Sequence, residues 1–292
     1  MSARMTMHPA GNPMRKRIAI ARQIAAVLGR RPEVRAVCVG GSTALGLADD
    51  DSDIEIQALC SPSKVPATER RRIYARLSGS KEDSFIYSWG KRVLDFFWKD
   101  GIWVEVEFRR IGQLKAMIAE ARSGRACHRQ APFGHYGYAI LGDVHHWRVL
   151  LDKDGVATGL KKKAVIGESL RRTILKQGGF LSDPQVIREY GKACKRADIP
   201  DAMGCLNSIT DHFIQVAFAL NRQYYTGNKW SSQLMRHFRR PSPGFYRRLG
   251  KLLVLGNDRK ALRRKSKLVY GMFDELKEAV NSELGIPKGA GR

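Results

Sequence analysis

The stretch that most constrains this chain is residues 36–56, A-V-C-V-G-G-S-T-A-L-G-L-A-D-D-D-S-D-I-E-I. It predicts a buried strand over 36–39, a turn at Gly40, Gly41 and Ser42 that opens a short helix, and an acidic turn at Asp49, Asp50 and Asp51. A second strand then carries Asp53 and Glu55. Side chains on a strand alternate between faces, so Asp53 and Glu55 share one face while Ile54 and Ile56 enter the core. Two carboxylates on one face raise each other's pKa unless a cation sits between them. A divalent metal removes the conflict, and hard oxygen ligands suit Mg²⁺, which keeps several waters and takes other oxygens from substrate phosphates. Without a Cβ, Gly40 and Gly41 let a phosphate approach the backbone and permit positive φ. The Ser42 hydroxyl stands at a helix start, where free N–H groups favour an anion. An anion cradle followed by a metal-binding carboxylate pair outlines a nucleoside-triphosphate site.

This order, a strand, then G-[GS], then D-x-[DE] on the next strand, resembles the signature of the polymerase-β-like nucleotidyltransferase superfamily. Within it, the likeness is to the bacterial antibiotic-adenylyltransferase-like and minimal nucleotidyltransferases that carry a C-terminal helical domain. The resemblance implies a third carboxylate on a later strand, sought in residues 92–109, R-V-L-D-F-F-W-K-D-G-I-W-V-E-V-E-F-R. Asp100-Gly101 is a two-residue hairpin signal between aromatic-rich runs. The outgoing strand puts Glu105 and Glu107 on one face, against Val104, Val106 and Phe108 on the other. Glu105 fits the family pattern best, Glu107 is the alternative, and Asp95 on the incoming strand ranks third. By the resemblance, Asp53, Glu55 and Glu105 hold Mg²⁺, two ions in all, and the co-substrate is ATP or another NTP. Gly40, Gly41 and Ser42 hold its phosphates. The segment A-L-N-R-Q-Y-Y-T-G-N-K-W at 219–230 is similar to a stretch of the same relatives. It implies that Lys229 neutralises the triphosphate and that Asn221 orients a substrate group. The second motif residue, Glu55, is longer than the commoner Asp, which shifts the metal geometry.

The expected fold is α+β: a nucleotidyltransferase domain with a mixed β-sheet flanked by helices, followed by an all-helical C-terminal bundle. Residues 1–13 lack periodicity and read as a mobile tail, 14–160 as the catalytic domain, and 161–292 as a basic helical domain. The first helix spans 14–28; two more are expected at 69–77 and 112–122, and a last strand begins near Val149. Beyond Val165, spacings of three and four predict helices at 166–175, 184–197, 201–225, 231–238, 243–255 and 258–284. Phe213, Val216, Ala217 and Leu220 are assigned to the core of the longest apolar one.

The five cysteines are scattered without a C-x-x-C, which excludes a zinc or disulfide framework and indicates a reduced compartment. Cys127, His128, His135, His145 and His146 lie near one another in sequence, but no pair has zinc-site spacing. No apolar run matches a membrane span, so a cytoplasmic chain without a membrane partner is expected. The net charge of +24 calls for an acidic partner, and residues 161–292 carry two thirds of it. Residues 239–267 are densest in Arg and Lys, with Phe238, Phe245 and Tyr246 interleaved for stacking on RNA bases. Three function classes follow. The family resemblance implies transfer of AMP to a hydroxyl of a small acceptor such as an antibiotic. The charge points to an RNA- or tRNA-modifying nucleotidyltransferase, toxin-like in type. A non-catalytic NTP- or RNA-binding module is disfavoured, because all three carboxylate positions are filled.

Overall fold

A computed structural model describes residues 12–78, 84–89, 92–126, 129–131, 135–177, 185–254, 256 and 258–287. The expected tail at 1–13 lies outside these except for Asn12 and Pro13, which open helix α1 (Asn12–Leu28). The chain divides into two compact units, one of residues 1–119 and 142–165, the other of 120–141 and 166–292. This division is interleaved where the sequence suggests a single cut after residue 160, because residues 120–141 cluster with the helices.

The first unit is built on six strands: β1 (Val34–Val39), β2 (Ile54–Cys60), β3 (Ser84–Trp89), β4 (Arg92–Lys99), β5 (Ile102–Arg110) and β8 (Arg148–Asp152). They form one mixed sheet in the order β3-β4-β5-β2-β1-β8, while β6 (Arg129–Ala131) and β7 (His135–Tyr136) pair separately. Only β2 and β5 run parallel, with Ile54 opposite Val104 and Ile56 opposite Val106. The other pairs are antiparallel. Asp100 and Gly101 both adopt positive φ, 52° and 76°, as the hairpin between β4 and β5 requires. The helices expected at 69–77 and 112–122 form as α3 (Ala67–Ser78) and α4 (Ile111–Arg122). One face of the sheet is apolar: Ile54, Ile56, Val104, Val106 and Phe108 pack with Ile24 and Leu28 of α1 and Ile73 of α3. Burying each such aliphatic side chain stabilises the fold by about 1.5–3 kcal/mol.

This apolar face also contains an ion pair. Asp95 on β4 stands opposite Val106, is fully buried, and meets Arg70 Nε at 2.8 Å; the Tyr74 hydroxyl donates to it at 2.6 Å. Burial pushes its carboxyl up despite both partners. Asp95 therefore ties α3 to the sheet on the face opposite Glu105, which removes it as a third carboxylate.

The second unit is largely helical. Its helices are Glu168–Gln177, Gln185–Arg196, Ile199–Leu220, Ser231–Leu234, Phe245–Val254 and Arg259–Leu284. The longest apolar helix stops at Leu220 and not at Tyr225, because Asn221 caps it and Arg222 turns to φ 53°. Asp258 caps the last helix by accepting from the N–H groups of Lys260 and Ala261. Among the described residues, no helix is long and apolar enough to cross a membrane.

Candidate functional site

The face of the sheet opposite the α1–α3 core collects the polar residues. Asp53 lies one residue before β2, and Glu55 follows within it. Glu105 is the direct register partner of Glu55 on β5, and Glu107 is the partner of Gln57. Facing residues in a parallel pair point to the same side, so Glu55 and Glu105 stand next to each other across one strand boundary. The two glutamates of β5 differ in surroundings. Glu107 is 5% exposed and paired with Arg109 at 2.6 Å, whereas Glu105 is half-buried.

Against these carboxylates lies the glycine turn. The Gly40 N–H donates to the Glu55 carbonyl at 2.8 Å, so the turn is fastened to β2 at the motif itself. Gly41 has φ +55°, and a Cβ there would overlap the Glu55 carboxylate. Glycine is required at 41 on both counts. At Gly40 a Cβ would meet only Trp147 and Glu55 at 3.7–3.8 Å, an ordinary van der Waals distance. Helix α2 (Gly41–Leu45) then runs for five residues and ends at Gly46, in the left-handed region at φ 79°. Arg148 on β8 donates to the Ala44 carbonyl at 3.0 Å, satisfying an orphan acceptor at that end.

Three buried oxygens in this region lack a hydrogen-bond partner: Ser42 Oγ, Thr43 Oγ1 and Asp53 Oδ1. Ser42 and Thr43 belong to the turn and Asp53 stands just before β2; buried polar atoms are nearly always paired in folded proteins, so each of the three carries a cost that a ligand would offset. Among the described residues, no three His, Cys, Asp or Glu side chains are gathered closely enough to ligate one metal as they lie. The donor chemistry nevertheless fits a hard divalent cation: Asp53 has an unpaired buried oxygen, and Glu55 and Glu105 flank it with carboxylates on the same face.

The acidic turn ahead of Asp53 is held from α1. Arg17, 2% exposed, donates from Nε to the Ser52 carbonyl at 2.8 Å and from Nη2 to the Asp50 carbonyl at 2.9 Å. Sequence reasoning misses Arg17. Its signal is a charged residue at an apolar position, in line with Met14, Ala21, Ile24 and Leu28 of α1. Trp147, which borders Gly40, carries no such signal; register across β1 and β8 brings it there.

Other sequence-predicted residues fall elsewhere. Asn221 is fully occupied: its Nδ2 donates to the carbonyls of Ala217 and Arg240 at 2.8 and 2.7 Å, and its Oδ1 accepts from the N–H groups of Arg239 and Arg240. Orienting a substrate would require giving up those bonds. Lys229 is exposed. Within 239–267, Phe245 is 2% exposed against Phe213, so it is core and unavailable to stack on bases; Phe238, just before, packs edge-on against Phe218. Arg240 pairs with Glu283, and Arg248 with Glu275. Lys265 is buried. His145 and His146 end α5 (Ile140–His146) beside Lys161; burial is the main cause that lowers both pKa values, that of His146 to about 4. Cys127, His128 and Phe133 lie outside the described residues.

Residues 140–231 match the family model described as a domain of unknown function, DUF4037. That span includes Asn221 and Lys229 and excludes Asp53, Glu55 and Glu105. No curated protein matches the chain. The structure is similar to that of a nucleotidyltransferase-like protein from Exiguobacterium sibiricum, with 12% identity, a TM-score of 0.43, and 91% of this chain and 77% of that chain covered. It is also similar to an aminoglycoside 6-adenyltransferase from Bacillus subtilis, with 11% identity, a TM-score of 0.35, and 91% of each chain covered.

Proposed function

We propose that this chain is a Mg²⁺-dependent nucleotidyltransferase that moves a nucleoside monophosphate, AMP first among them, from an NTP to a hydroxyl of an acceptor. One observation carries the reading: Glu55, two residues after Asp53, is the register partner of Glu105 on β5, and its carboxylate lies against Gly41 of the Gly40-Gly41-Ser42 turn. Asp53, Glu55 and Glu105 would hold Mg²⁺, which neutralises charge on the triphosphate when bound. The Ser42 and Thr43 hydroxyls are buried without partners, so they would donate to phosphate oxygens only if the turn shifts to expose them. Gly41, without a Cβ, lets the Glu55 carboxylate lie against the turn. Helix α2 has only five residues, so its dipole adds little and the hydroxyls and turn N–H groups do most of the holding. In the reaction the acceptor oxygen forms a bond to the α-phosphorus, the α–β bridging P–O bond breaks, and pyrophosphate leaves in line. Glu105 takes the proton from the attacking hydroxyl.

Glu105 is favoured over Glu107 because it is the direct register partner of Glu55, whereas Glu107 faces Gln57. The test compares variants. Asp53→Ala is expected to lower turnover by about a thousandfold, as loss of a group acting on transition-state charge does. Glu105→Gln should be nearly inactive yet still bind Mg·NTP, while Glu107→Gln keeps measurable turnover. Near-normal turnover of Asp53→Ala, with Mg²⁺ present, ends the reading.

A further inference from the structure

The face of the sheet that carries Glu105 continues, toward its β3 edge, into a row of aromatic rings. Phe85 on β3 stands opposite Phe96 on β4, Phe96 opposite Glu105, and Trp98 opposite Trp103. The rings of Phe85 and Phe96 lie 5.0 Å apart at 24°, and those of Phe96 and Trp103 lie 5.6 Å apart at 21°. Trp98 meets Trp103 edge-on at 4.9 Å. These are large apolar groups, yet Phe85 is 53% exposed and Trp98 48%. The core cluster on the other face does not include them. Contiguous exposed rings of this size mark an interaction surface.

We propose that this row is a stacking platform for the bases of a single-stranded nucleic acid whose terminal hydroxyl is presented to the carboxylates beside it. The last clause rests on the nucleotidyl-transfer reading; the stacking does not. Three features select the occupant. Phe85, Phe96 and Trp103 form a compact cluster, with Phe85 and Trp103 tilted at 42° and 5.3 Å, and the half-exposed rings of Phe85 and Trp98 leave π-surface for a base. Every base has a π-face, which makes such a platform tolerant of sequence. Charge supplies the rest. The net +24 attracts a polyanion and repels a polycationic acceptor. A cation also stands at the hairpin next to Trp98: exposed Lys16, whose Nζ donates to the Asp100 carbonyl at 2.9 Å, while Lys99 is paired with the Asp100 carboxylate at 3.2 Å. Phe96 is the register partner of Glu105, so the aromatic patch borders the strand that carries the proposed base.

The experiment uses the full chain, without NTP, and a fluorescein-labelled oligoadenylate of about ten nucleotides, RNA and DNA in parallel, read by fluorescence anisotropy. Phe85→Ala and Trp98→Ala should each weaken binding about tenfold, the loss expected for one stacked base. Trp98→Phe should recover most of it. Because about half of each side chain is exposed, thermal midpoints should fall only modestly and both variants should still unfold cooperatively, which separates lost stacking from lost fold. RNA binding tighter than DNA identifies a strand read through its 2′-hydroxyls; equal binding identifies recognition by stacking and phosphate charge alone. Either result supports the platform. Absence of binding, or wild-type affinity in both alanine variants, overturns it. Concentration-dependent self-association that the same variants abolish, with oligonucleotide affinity unchanged, also overturns it and makes the row an interface between copies. If no transfer activity is found but the stacking variants still weaken binding, the transferase reading fails and the platform stands.

Discussion

At the scale of single residues, Gly41 has the narrowest tolerance in the site. Its φ of +55° and the nearness of the Glu55 carboxylate both exclude a side chain, whereas Gly40 one position earlier has room for a methyl group. Gly41→Ala should therefore displace Glu55 and cost about 1–2 kcal/mol in backbone strain. Gly40→Ala should leave the fold near wild type. Thermal unfolding of both variants together with Mg·NTP binding checks this; equal behaviour of the two would show that the Glu55 carboxylate does not depend on the bare backbone at 41. Asp53 shows a different constraint. Its unpaired buried oxygen is a cost without a ligand and a binding group with one.

At the scale of elements, much of the first unit is legible in the sequence because strand alternation and turn chemistry act locally. The G-G-S turn, the D-x-E strand, the Asp100-Gly101 hairpin and the face shared by Glu105 and Glu107 follow from period two and from positive φ. What periodicity lacks is pairing. That Glu55 meets Glu105, that Glu107 meets Arg109, and that Asp95 meets Arg70 beneath the sheet depend on tertiary arrangement, which no local pattern states. The aromatic run of β4 and β5 reads as strand-forming residues; only register aligns Phe85, Phe96, Trp98 and Trp103 into one row. In the helical unit the interleaved aromatics mislead for the same reason, since Phe245 belongs to a buried stripe.

One element-level link has a pH signature. Glu168, at the start of the helix Glu168–Gln177, accepts from Arg171 at 2.7–2.9 Å and from Arg222 at 3.2 Å. The Arg171 hydrogen bonds, followed by its charge and by Arg222, hold the Glu168 carboxyl down at about 2. A carboxyl lowered in the fold contributes stability above its unfolded pKa of about 4.3 and loses it as pH falls through the folded value. The difference in thermal midpoint between wild type and Glu168→Gln should therefore be open at pH 6 and closed near pH 2. A difference independent of pH would mean that these bonds hold by geometry and not by charge.

At the scale of the whole molecule, the charge of +24 divides into cations that are neutralised internally and cations that are displayed. Arg240 and Arg248 are paired with Glu283 and Glu275, while Arg259, Arg263 and Lys267 recur every four residues on the last helix and are exposed. Reversing these three to Glu should weaken RNA binding across sequences and flatten its salt dependence, by about 0.7 in the log-log slope for each phosphate no longer neutralised. An unchanged slope would make the stripe a solvated surface. The central claim, nucleotidyl transfer at Asp53, Glu55 and Glu105, is met most directly by incubating the chain with each α-labelled NTP, Mg²⁺, and in turn total RNA and a panel of hydroxylated small molecules. The account predicts label transferred to acceptor, with ATP the best donor and pyrophosphate released, and no transfer by Asp53→Ala. Label that reaches no acceptor from any NTP, or that transfers equally well with Asp53→Ala, would contradict it.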